Sequence, residues 1–165
     1  WLLASWFGAI IASYVIGNFE HLLEKIIVLA SFRPRIIGMG GNIGTQSSTI
    51  IVRGIATGRI TIGNELATIL KELKAGLILG VLYGMMLGIF AWFRFIDTNP
   101  IIGVIVGLSI CSSMIIATGV GTFTPLALRK LDIDPAIATG PFVTTSIDIL
   151  GVFLYFLIAE LLLQV

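Results

Sequence analysis

Charge is what this 165-residue chain has least of. Only 12% of its residues are charged, 57% are apolar, and the mean hydropathy is +1.07. A water-soluble domain carries about 25% charged and about 45–50% apolar residues, so that class is excluded. Ten basic and nine acidic residues leave a net charge of +1, which provides no basic surface for nucleic acid. The single cysteine, Cys111, cannot close a disulfide within the chain, and no Cys/His cluster has zinc spacing. What the chain does have is glycine, 19 of them, with three tryptophans, and both types are enriched in helices packed in lipid. The composition is that of an integral membrane domain. The chain begins at Trp1 rather than Met and reads as a piece of something longer. No signal peptide is expected, since the first segment lacks a charged n-region and a small-residue cleavage site.

The few charges mark out the spans. Uncharged stretches run from Trp1 to Phe19, Ile36 to Val52, Ala75 to Phe93 and Thr98 to Leu128, and Pro135 to Ala159 is apolar apart from Asp148. A spanning helix needs about 17–25 apolar residues. The expected fold is therefore all-α and polytopic, with five transmembrane helices per protomer and termini on opposite sides. The long Thr98–Leu128 stretch should tilt or project. Arg53, Arg59, Lys71, Lys74, Arg129 and Lys130 would fall on one side, and Lys25, Arg33, Arg35 and Arg94 on the other. The positive-inside bias then puts the amino terminus in the cytoplasm and the carboxyl terminus outside.

Two segments differ from plain spans. From Ile62 onward, Leu66, Ile69, Leu70 and Leu73 share a helical face, with Asn64 placed as N-cap, which predicts a short amphipathic helix on the cytoplasmic interface. The mixed stretch His21–Phe32 is expected to dip into the outer leaflet, and Pro34 to interrupt any helix running on into the second span. Gly80, Gly84 and Gly88, and Gly103 and Gly107, repeat every four residues, a spacing that lets helix backbones approach closely in lipid.

Asp148 is the anomaly. On a helix running from about Asp134 it would lie about 21 Å along the axis, near the bilayer midplane. A carboxylate there costs at least about 2.5–3.5 kcal/mol, so it normally faces a wet or functional cavity; the alternative is a protonated Asp hydrogen-bonded between helices. With no Lys or Arg in a span placed to neutralise it, a passing cation is its natural partner. Gly140 and Thr144 precede it at four-residue steps on the same face, and Pro141 would leave the Ile137 carbonyl without its helical donor. Oxygen donors without His or Cys suit Mg2+, or else Ca2+ or Mn2+. One acid per chain is too few for a cage, but two chains about a two-fold axis would bring two Asp148 carboxylates together. In the second span Asn42, Gln46, Thr49 and Arg53 form a polar stripe, flanked by Thr45 and Ser48. It would line a wet pore or make interhelical hydrogen bonds, and the spacing leaves both open.

Other polar groups point to less. Glu20 and Glu24 beside His21 read as solvated charge and Glu160 as interfacial. Ser109, Ser112 and Ser113 have no base near them in sequence, and the GMGG run lacks the Lys-Ser/Thr of a phosphate loop. No enzyme is indicated.

Two stretches, PRIIGMGGNIGTQSSTIIVRGIATGRI from Pro34 to Ile60 and LDIDPAIATGPFVTTSIDILGVFLYF from Leu131 to Phe156, resemble the membrane domain of the MgtE family of magnesium transporters and channels. The resemblance covers essentially the whole chain, so residues 1–165 would form an MgtE-like transmembrane pore domain. It implies a homodimer in the membrane lipid, with a cation pathway on the two-fold axis lined mainly by the second and fifth helices. The family's pore aspartate falls on Asp148, and its ion-coordinating positions fall on Thr144 and Gly140; Gly140 can offer only a carbonyl where some relatives have a polar side chain. The cytosolic regulatory domains usual in the family lie outside this chain. The function implied is a Mg2+-selective channel or transporter passing largely hydrated ions, with Mn2+, Co2+ and Ca2+ as other candidate ions. The alternatives are a proton- or Na+-coupled secondary carrier using Asp148 as its protonatable site, and a non-transporting scaffold.

Overall fold

The computed structural model describes residues 2–25, 27–61, 63–138 and 140–164, and within them the regular structure is all helix, with no strand. In order the helices are α1 (Leu2–Asn18), α2 (Glu20–Lys25), α3 (Val28–Ala56), α4 (Glu65–Arg94), α5 (Ile101–Lys130), α6 (Pro135–Ala138) and α7 (Pro141–Leu163). The five long ones alternate in direction. Ser5 meets Thr145 and Phe19 stacks on Phe156, so α1 and α7 run parallel. Tyr155 meets Leu29, whereas Gly44 sits on Ile147, so α3 runs against α7. Gly40 adjoins Ser113 and Gly121 adjoins Gly44, so α5 runs with α3, and α4 returns against α5.

Among the described residues, three helices are long and apolar enough to cross a membrane: α4, α5 and α7. At about 1.5 Å per residue, the 30 residues of α4 and of α5 reach about 45 Å, longer than a hydrocarbon core of about 30 Å, a length that a bilayer accommodates by tilt or by projecting ends. The 17 residues of α1 sit at the short limit of a span, and α3 dilutes its apolar run with the polar stripe and three arginines.

Glycine decides how close these helices come. A Cβ on Gly84 would lie 2.6 Å from the Gly107 carbonyl oxygen, and one on Gly88 2.9 Å from that of Gly103, so α4 and α5 touch backbone to backbone along the predicted stripe. A second contact of this kind, Gly44 of α3 against Gly121 of α5, has no repeat to announce it. Gly84→Leu has no flexible side chain to displace and is expected to cost about 1–3 kcal/mol or more by overpacking. A lowered thermal midpoint in detergent checks this, and an unchanged midpoint contradicts it.

Three local expectations are corrected. Pro34 does not interrupt the helix into the second span: it lies inside α3, as its seventh residue. Leu29, Phe32 and Ile36 are buried on both sides of it, and the Tyr155 hydroxyl donates a 2.7 Å hydrogen bond to the Leu29 carbonyl in the turn that proline loosens. Packing and a neighbouring side chain thus sustain the helix, as membrane helices allow. Removing that donor in Tyr155→Phe should cost about 1–3 kcal/mol, read as a lower unfolding temperature. Secondly, the amphipathic segment is not a separate helix but the first turns of α4, since nothing between Glu65 and Ala75 breaks the backbone. Asn64 holds the N-cap position without a side-chain capping bond, and Ile62 is outside the described residues.

The third correction concerns the fifth span. It is not one helix from Asp134, because α6 ends at Ala138 and α7 starts at Pro141. Proline at the first helical position loses no intrahelical bond, so the break is cheaper there than a kink and no Ile137 carbonyl is orphaned within a continuous helix. Asp148 lies seven residues into α7, about 10 Å from its start rather than about 21 Å.

Apart from Arg33 and Asp148, most of the charge lies toward the two ends of the bundle. Arg53, Arg59, Lys71, Lys74, Arg129 and Lys130 all belong to the end formed by the α3 C-terminus, the α4 N-terminus and the α5 C-terminus. There Lys130 approaches Glu65 at 3.7 Å, and the Arg129 guanidinium donates to the Ile60 carbonyl at 2.9 Å. At the opposite end His21 and Glu160 are 3.7 Å apart.

Candidate cation site

The site is built around a close approach of α1 and α3 to α7. A Cβ on Gly8 would overlap the Thr145 side chain, so glycine there lets α1 lie against α7, with the Thr145 and Ser5 hydroxyls 3.3 Å apart. On the other side Ile147 fits against Gly40 and Gly44 of α3. Asp148, next to Ile147, is thereby held half-buried at a cavity of about 590 Å3 between the three helices. Its polar lining is Ser5, Ser13, Arg33, Thr144, Thr145 and Asp148.

Thr144 stands one turn before Asp148 on the same wall. Its amide and its hydroxyl both donate to the Gly140 carbonyl, each at 3.1 Å, which leaves the hydroxyl oxygen with lone pairs toward the cavity. Gly140 itself is the N-cap of α7 and not part of the lining; its carbonyl is already twice occupied. Asp148 and Thr144 are therefore brought together, and Gly140 joins them only through Thr144. The donors facing the cavity are hard oxygens, one of them anionic, which suits a divalent cation of the Mg2+ type. At about 30 Å3 per water the volume holds such an ion with its hydration shell. Among the described residues no three His, Cys, Asp or Glu side chains gather, so a stripped ion finds no cage of acidic or imidazole ligands here.

The α3 stripe lies elsewhere. Asn42, Gln46, Thr49 and Arg53 are exposed, and Thr45 is half-buried beside them, on the side of the helix opposite Gly40, Gly44 and Ile51, which pack on α5 and α7. Thr45 donates to the Gly41 carbonyl at 2.5 Å and Thr49 to that of Thr45 at 2.8 Å, bonds within their own helix rather than between helices. Within one chain, then, the stripe and Asp148 do not share a cavity. Ser48, next to the stripe, is buried with no hydrogen-bond partner for its hydroxyl, as are Ser109 and Thr122. The Ser113 hydroxyl reaches the Ile36 carbonyl at 3.5 Å, and nothing in this serine group resembles a nucleophile with its base. The Glu24 side chain is outside the described residues.

Arg33 is the residue that sequence reasoning missed. No cation was expected within a span near Asp148, yet Arg33 lines the same cavity from α3. The reason is Pro34: a helix assumed to break there puts Arg33 in a connecting segment. The signal was the 4-3-4 spacing of Arg33, Ile37, Gly40 and Gly44, which places all four on the face turned to α7. Among the described residues Arg33 and Asp148 form no ion pair with each other or with any other side chain.

Residues 33–158 match the MgtE divalent cation transporter family. The chain is 35% identical over 161 residues to the magnesium transporter MgtE of Bacillus subtilis, an alignment that takes in 96% of this chain and 35% of that protein. It is 34% identical over 165 residues to the magnesium transporter MgtE of Thermus thermophilus, covering 99% of this chain and 36% of the relative. The corresponding Enterococcus faecalis protein is 32% identical over 166 residues, with 99% and 36% covered. The chain thus spans about a third of the length of the curated relatives it matches.

Proposed function

The chain belongs to the MgtE family of divalent cation transporters, a multi-pass membrane family, and we propose that it forms the ion pathway of a Mg2+ channel whose selective site is Asp148. The observation that carries this reading is the carboxylate itself, set among the Thr144, Thr145 and Ser hydroxyls in a cavity roomy enough for a hydrated ion. Mg2+ dehydrates reluctantly and is commonly held through one or two carboxylates with its waters retained. The ion therefore passes largely hydrated, and metal–carboxylate separations at the site exceed the direct Mg–O distance of about 2.0–2.1 Å.

The alternating long helices support five crossings, with α1 and α3 completing the set of α4, α5 and α7. Six basic residues at one end, against Lys25, Arg35 and Arg94 toward the other with Arg33 at the cavity, favour placing the six-residue end, with the amino terminus, in the cytoplasm. A second copy of the chain completes the pathway. The exposed stripe of Asn42, Gln46, Thr49 and Arg53 would be poorly placed against acyl chains, and a two-fold axis beside α3 turns it toward its symmetry mate and water.

The test is electrical. Protein reconstituted in liposomes under an imposed voltage, with no proton or Na+ gradient, is expected to carry a Mg2+ current. Flux that appears only when a proton or Na+ gradient is supplied would replace the channel by a coupled carrier protonating Asp148. No flux under either condition would leave a scaffold.

A further inference from the structure

We propose that Arg33 is a tethered counter-cation of Asp148, one that an entering ion must displace and that thereby excludes monovalent ions. The inference rests on Asp148 being the cation site and adds the device that sets its charge selectivity. Arg33 and Asp148 are the two charged residues in the cavity lining. They enter from different helices: α3 runs against α7, which places Arg33 at the level of Val152, one turn beyond Asp148 toward the α7 C-terminus. An arginine cannot shed its proton, so its charge is permanent. Between three helices, with Asp148 half-buried, a guanidinium and a carboxylate attract more strongly than they would in bulk water.

Two features let that attraction act as a threshold. The guanidinium sits on a flexible stem, and apart from Ile16 the α1 wall of the cavity is made of small residues, Ser5, Gly8, Ala9, Ala12 and Ser13, which leave space for that stem to move. Moving Arg33 away from Asp148 costs the same whichever ion arrives. The return from the carboxylate grows with the charge of the ion, so a divalent cation gains about twice what Na+ or K+ gains from the same site. A fixed cost set between those two returns admits the first and rejects the second. An unobstructed carboxylate would have no such discrimination built into it.

The experiment measures Mg2+ and Na+ fluxes through the full chain in liposomes for wild type, R33Q, R33M, R33K and D148N, and for R33Q combined with D148N. R33Q is expected to lower the half-saturating Mg2+ concentration about tenfold and to raise Na+ flux in Mg2+-free solution about tenfold, a factor equivalent to about 1.4 kcal/mol. R33M, which keeps the apolar stem, should do the same, and R33K should stay near wild type because the charge is retained. In the D148N background the effect of R33Q on half-saturation should fall well below tenfold, because no carboxylate remains for Arg33 to neutralise. Wild-type half-saturation and no Na+ flux in both R33Q and R33M would overturn the proposal, as would R33K behaving like R33Q. In those cases a loss of Mg2+ flux in D148N leaves the assignment of Asp148 standing. If D148N conducts Mg2+ like wild type, the site assignment falls and the role of Arg33 falls with it.

Discussion

Asp148→Asn is expected to reduce Mg2+ flux about a hundredfold or more while leaving the protein folded. The substitution keeps the size, the planar shape and a carbonyl oxygen, and it removes only the negative charge. A hundredfold loss corresponds to about 2.7 kcal/mol, a modest fraction of what a divalent ion gains from a full carboxylate held half-buried between helices. Asp148→Glu keeps the charge on a stem one methylene longer and should stay within about tenfold of wild type, since the cavity has space for the shift. The pair of variants separates the two roles a carboxylate can have inside a membrane domain. An Asp that serves as a protonated hydrogen-bonding group between helices is mimicked by Asn, so wild-type uptake by Asp148→Asn at matched expression would give Asp148 that structural role and remove it from the pathway. A normal elution profile in detergent is needed alongside, and is expected, because the hydroxyls of Thr144 and Thr145 bond to Gly140 and Ser5 without help from Asp148.

What the sequence disclosed and what it hid follow from the range of the physics involved. A charge inside an apolar run is costly wherever the run is buried, so Asp148 stands out before any fold is known. Glycines at four-residue steps also advertise themselves, and Gly84 against Gly107 is the contact their period implies. Gly44 against Gly121 joins two helices through single glycines, and no spacing along the chain records it. Proline was read twice by the same local rule and misled twice. Pro34 removes one helical bond, but Leu29, Phe32 and Ile36 hold the helix from both sides; Pro141 was taken as interior when Gly140 and Pro141 together are an ordinary helix start. Both errors bear on the site. The first hid Arg33 from Asp148, and the second roughly doubled the depth assigned to Asp148 along its helix. The direction of the five long helices, by contrast, follows from their number and was legible without any contact. Which chain surface faces a second copy was not, because exposure is a property of the packed bundle.

The exposed stripe gives the assembly its sharpest test. Cys111 is the one native cysteine, half-buried where α5 meets Gly80 of α4, and Cys111→Ala leaves a chain without thiols into which single cysteines can be placed. In that background Gln46→Cys and Asn42→Cys are expected to react with a charged, water-soluble thiol reagent and lose most Mg2+ flux on doing so. A short bifunctional thiol reagent applied in the intact membrane should join either variant into covalent dimers. Phe90→Cys, on the outer face of α4 with 62% of the residue exposed, should do neither, because an apolar stretch of that helix offers lipid rather than water. The contrast matters more than either result alone. Both positions are exposed in the single chain, and only a two-fold axis running beside α3 makes one of them wet and symmetric while the other faces acyl chains. Monomers alone from the stripe positions, together with dimers from Phe90→Cys, would move the interface to α4 and leave the cavity between α1, α3 and α7 as the ion route within each chain.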